Sequence, residues 1–135
     1  MIDVRARLAT LWIVVLLNMI YADVLSFLNA EFLRGLLTGY AEGIRITQPL
    51  LVASAVMLEI PIMMVLLSRV LNRTANRRAN LVASPLTAAF IVGAGSTSPH
   101  YLFLAAVELV CLSLILRYAW QWHAEAPHAQ PAQRR

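Results

Sequence analysis

The 135-residue chain is 60% hydrophobic and only 13% charged, and its net charge of +4 comes from arginine alone, because lysine is absent. A soluble domain of this length has too little interior to hide so much apolar surface, and its charged fraction sits well below the usual value of about a quarter. The arginines gather at the ends of apolar runs, as headgroup contact and membrane orientation demand, so nucleic acid is set aside as a partner and the lipid bilayer is the expected one.

The first apolar run covers about residues 8–28, long enough to cross a hydrocarbon core of roughly 30 Å. Arg5 and Arg7 precede it as in a signal peptide. Its length, and a bulky Leu28 at the −3 position of the nearest cleavage site, favour an uncleaved first span. In residues 29–47, Asn29 is placed to cap a helix, and Phe32, Leu33, Leu36, Leu37 and Tyr40 recur on one side. This pattern points to a short amphipathic helix on the membrane surface, ended by the glycines around Tyr40; a plain extracytoplasmic loop is the alternative.

A second span is expected at 48–68, with Thr47 as cap and Pro49 in the first turn. Pro61 lies inside it and cannot donate to the carbonyl of Met57, which predicts an irregularity beside Glu59. The third span, 80–97, is rich in small residues: Ala79, Ala83 and Thr87 stand four apart, as do Ser84 and Ala88. That spacing lets helix backbones approach closely, so this helix is expected against two neighbours, with Asn80 as its cap. The fourth span, 101–122, closes on Tyr118, Trp120 and Trp122 as an interfacial anchor, and residues 124–135 form a polar, disordered cytoplasmic tail. The expected fold is therefore all-α, a four-helix transmembrane bundle in one domain over residues 1–123.

Arginine counts set the orientation. With both termini in the cytoplasm, Arg5, Arg7, Arg69, Arg73, Arg77, Arg78, Arg117, Arg134 and Arg135 are inside, and only Arg34 and Arg45 are outside. The expected location is a bacterial inner membrane.

Three acids, Asp23, Glu59 and Glu108, fall within the spans. They lie about five, eleven and eight residues below the outer helix ends, a spread of roughly 9 Å, so all three are expected to face one bundle interior. An acid at mid-membrane costs about 2.5–3.5 kcal/mol on insertion scales and is usually turned towards protein or water. Asn18, near the middle of the first span, completes a candidate polar pocket of Asn18, Asp23, Glu59 and Glu108, with Pro61 as the adjoining irregularity. Such a pocket accepts a proton, a cation or a cationic substrate. In a second reading the carboxyls only hold helices together through Asn18, Tyr21, Ser54 or the carbonyl freed by Pro61. In a third, Arg34 or Arg45 dips in to pair with Asp23.

Other chemistry is sparse. Cys111 is the only cysteine, which rules out an internal disulfide, a multi-cysteine metal site and a cysteine-pair oxidoreductase. His100, His123 and His128 are too scattered to suggest a metal site, and no phosphate loop, nucleophile elbow or cofactor motif is present. No cofactor or catalytic residue is expected.

The segments LWIVVLLNMIYADVLSFL, MLEIPIMMVLLSRVLNRTANRRAN and HYLFLAAVELVCLSLILRYAWQW resemble a family of uncharacterised bacterial four-helix membrane proteins, a domain of unknown function, over about residues 8–123. That resemblance implies a four-span membrane protein and brings no activity. A looser, fold-level likeness to DoxX-like membrane proteins rests on size and span number. The expected function is a small transporter or binding module with an intramembrane acidic pocket, working as a homo-oligomer because four spans are few. The alternatives are a structural or accessory membrane subunit and a quinone- or lipid-linked redox protein.

Overall fold

A computed structural model describes residues 3–122. The expected tail disorder at 124–135, together with His123 and His128, lies outside the described residues. The chain forms five helices, α1 (Val4–Phe27), α2 (Ala30–Leu37), α3 (Gln48–Val70), α4 (Arg73–Gly93) and α5 (Pro99–Gln121), and one short hairpin, β1 (Tyr40–Ala41) with β2 (Ile44–Arg45). Three of the helices, α1, α3 and α5, are long and apolar enough to cross a membrane.

The four long helices form a ring. Helix α1 packs against α3 and α5, and α4 packs against the same two from the opposite corner. Short connections make α3, α4 and α5 successively antiparallel, most tightly at the two-residue turn Leu71–Asn72 between α3 and α4. Leu8, Trp12 and Val15 of α1 meet Met64 of α3, Ala83 and Ile91 of α4, and Leu112 and Ile115 of α5 in the core. The small side chains Ala83, Ser84 and Thr87 are buried, which lets α4 sit close to both neighbours as its spacing predicts.

The expected start of the third helix at Asn80 is corrected by one element of local chemistry. Asn72, not Asn80, is the cap: its Oδ1 accepts from the Ala75 amide at 2.9 Å. Helix α4 therefore begins seven residues earlier than expected, and the arginine-rich stretch between the second and third expected spans forms its first two turns. With Arg73, Arg77 and Arg78 in those turns, α4 is not among the helices apolar enough to span alone. Its far end comes at Gly93 rather than 97, where the Ala94 amide closes onto the Phe90 carbonyl at 2.8 Å. Pro85, like Pro61, lies inside a helix and leaves the carbonyl four residues back without its donor.

Between α1 and α3, α2 forms as the periodicity predicts. Asn29 Oδ1 accepts from the amides of Glu31 and Phe32, and no α2 residue is buried, so Leu33 and Leu37 stay outside the bundle. Phe27 and Phe32 meet edge to face across the corner at 6.0 Å. The hairpin that follows was not expected from the sequence. It turns at Glu42 and Gly43, with φ of 48° and 79°, both in the left-handed region that two-residue hairpin turns need.

Candidate acidic cavity

At the α2 end of the bundle the four long helices diverge around a cavity of about 250 Å³. Each helix contributes to its lining: Met19, Ala22 and Asp23 from α1, Ser54 and Leu58 from α3, Phe90 and Ile91 from α4, and Tyr101 and Glu108 from α5. Asp23 stands at the rim and is exposed, whereas Glu108 lies inside and is only 2% exposed. The two carboxylates and the Tyr101 hydroxyl are near enough to act on one another electrostatically. No basic side chain lines the cavity.

Tyr101 is held in place. Its hydroxyl donates to the Ile91 carbonyl at 3.1 Å, tying the first turn of α5 to the last turns of α4. Gly95 makes room for the ring: a Cβ there would lie 2.9 Å from Tyr101 Cε1 and 2.8 Å from the Ile91 oxygen. Beside the rim, Ser26 on α1 donates to the Ala22 carbonyl and lies 3.3 Å from His100 Nε2 on α5. Above it, the loop between α4 and α5 is joined to the hairpin by Ser96 Oγ donating to Glu42 Oε1 at 2.7 Å.

Two of the four expected pocket residues, Asp23 and Glu108, thus share one cavity, and the other two do not. Glu59 is exposed on the outward side of α3, among Val56, Ile60, Met63 and Leu67. The expectation that three acids converge fails for this one because Pro61, Met64 and Ser68 take the inward side of α3, and Glu59 falls opposite to them at helical spacing. Asn18 turns back on its own helix, donating to the Val14 carbonyl at 2.8 Å. Pro61 is buried, on the inward face of α3.

Among the described residues, none of the three carboxyls has a hydrogen-bond or ion-pair partner, and Arg34 and Arg45 are exposed without reaching Asp23. Polar side chains of α1 and α4 join the helices in the bundle interior. Trp12 Nε1 donates to Asn80 Oδ1 at 2.8 Å, Asn80 Nδ2 donates to Asn76 Oδ1 at 2.7 Å, and Asn76 Nδ2 donates to the Ser68 carbonyl at 2.7 Å. Trp12, Asn76 and Asn80 are all fully buried. Asn76 and Asn80 stand four residues apart, the spacing that places their amides on one inward stripe of α4.

Chemically, the cavity holds negative charge capacity with no compensating cation. Buried carboxylates are costly unless neutralised by a proton, a bound cation or a partner base. No group of three or more His, Cys, Asp or Glu suited to a metal ion occurs among the described residues. The volume is enough for several water molecules at roughly 30 Å³ each, or one small organic or hydrated cation.

In comparison with known proteins, the model of a family of unknown function (DUF6326) matches residues 3–128. No curated protein and no solved structure matches the chain.

Proposed function

From the premise that this chain belongs to DUF6326, a family that carries no assigned activity, we propose that it is a small membrane-embedded binding or transport protein that admits a proton or a small cation to its acidic cavity. The observation that carries this reading is the pairing of Asp23 at the rim with Glu108 inside, in one cavity without a basic residue and without hydrogen-bond partners. The rim acid attracts and exchanges the cation, the buried acid holds it, and Ser54 and Tyr101 supply neutral oxygens.

In this reading all four long helices cross the bilayer of a bacterial inner membrane, α4 included, with its polar side turned inward. Both termini lie in the cytoplasm, as the arginine bias supports, and the cavity opens towards the outer side. The exposed apolar residues of α2 rest in the outer headgroup layer.

The test is flux of protons, sodium or potassium in proteoliposomes of the purified full chain. Glu108→Gln and Asp23→Asn each lower flux at least tenfold, while Glu59→Gln, outside the cavity, leaves it within twofold. Wild-type flux no greater than that of protein-free liposomes, or full flux in Glu108→Gln, overturns the proposal.

A further inference from the structure

The outward face of α3 carries a second, separate feature. Val52, Val56, Glu59, Met63, Leu66 and Val70 stand apart by four, three, four, three and four residues. This is the spacing of a heptad seam, the apolar stripe by which two helices coil about each other. All six are exposed, the five apolar ones by 39% to 64%, and they lie opposite the buried Pro61, Met64 and Ser68. The inward side of α3 is thus spent on its own bundle, and an unused seam of a full helix length faces out.

Glu59 sits at the centre of that seam, eleven residues from Gln48 and eleven from Val70. It occupies the same heptad position as Val52 and Leu66, where a single polar residue fixes register and the number of strands. Hydrocarbon alone leaves the group unsatisfied, and it lies too deep, roughly 16 Å from either helix end, for its short side chain to reach water.

We infer that the protein self-associates through α3 as a parallel two-fold pair, with Glu59 meeting Glu59. This rests on the bilayer placement proposed above but not on the role of the cavity. Copies inserted in one orientation present α3 in the same direction, so equal heptad positions face each other across the axis. At that axis the Glu59 of each copy supplies the other with the polar partner that hydrocarbon cannot. Two copies thereby satisfy what one copy leaves open, and register follows from the single polar layer.

Site-directed cross-linking in isolated membranes tests this, using full-length chains in a Cys111→Ser background. Under oxidation, Val56→Cys and Met63→Cys give at least fivefold more dimer than Leu17→Cys and Val110→Cys, which are comparably exposed on α1 and α5. Counting photobleaching steps of the labelled protein in lipid gives the second measure. Glu59→Leu lowers the two-step fraction at least threefold, whereas Glu59→Gln, still a polar partner, keeps it. Equal cross-linking at all four positions, a solely monomeric wild type, or cross-links from the seam to a different protein overturns the inference. Because flux and cross-linking are separate readouts, loss of one reading leaves the other standing.

Discussion

Trp12 and Asn80, on the diagonally opposed helices α1 and α4, are joined by a hydrogen bond of 2.8 Å from the indole nitrogen to the amide oxygen. Helix pairs across a diagonal share no close backbone approach in this ring, so this bond and the Asn80–Asn76 bond behind it span the middle of the bundle.

Removing one member of that chain leaves others unsatisfied. Asn80→Ala strands the indole N–H and the Asn76 amide oxygen, and is expected to destabilise the protein by about 1–3 kcal/mol. Trp12→Phe removes one donor and core volume. A double-mutant cycle read by thermal unfolding in detergent should give a coupling energy well above zero; additive losses would mean the bond carries no weight.

Ser84 predicts the opposite. Its hydroxyl is fully buried on the same stripe, yet it has no partner. Ser84→Ala is expected to leave stability unchanged or to raise it by up to about 1 kcal/mol, because an orphaned polar group disappears. The same unfolding assay checks this, and a loss comparable to that of Asn80→Ala would show that the hydroxyl has a partner in the folded protein.

Gly95 matters for a different reason, the close approach of the Tyr101 ring and the Ile91 carbonyl. Gly95→Ala should displace the ring, break the Tyr101–Ile91 bond and cost about 1–3 kcal/mol. Tyr101→Ala made first should soften that cost without removing it, since the carbonyl contact remains. Melting temperatures of the two single variants and the pair decide the matter.

The crossing of α4 is open to direct labelling in the Cys111→Ser background. If α4 crosses, Leu71→Cys in the α3–α4 turn and Thr97→Cys in the α4–α5 loop react with an impermeant thiol reagent from opposite faces. Thr97→Cys should share its face with Glu42→Cys, because Ser96 bonds Glu42. Labelling of Leu71→Cys and Thr97→Cys from the same face would leave α4 on one side.

How much of this was legible beforehand depended on the kind of signal. Apolar length identified α1, α3 and α5, and Asn29 and Thr47 marked two helix starts, because the capping rule is local. Helix α4 was misplaced since its first turns are polar, and a hydropathy window does not distinguish arginines in a loop from arginines on a helix whose asparagines face inward. The acids were found by their type, but which of them converge depends on helix rotation. Asp23, at the rim, and Glu108, inside, line one cavity; Glu59 turned outward because Pro61 and Met64 took the core. Tyr101 was read only as a helix start, and no single-sequence pattern announces that Gly95 makes space for its ring. The hairpin stayed hidden because Glu-Gly is a weak turn signal beside Asn-Gly or Asp-Gly.

The two-residue turn Leu71–Asn72 also bears on how the protein is made. Helix α4 is too polar to partition into lipid as a single segment, yet it is tied directly to α3, the most apolar of the helices. If α4 crosses as proposed, the pair enters the bilayer as one hairpin, with α3 carrying α4. By the time Asn80 emerges, Trp12 has long been synthesised on α1, so the amide meets a waiting donor. Helix α5, last in the chain, completes the ring by packing against both α1 and α4.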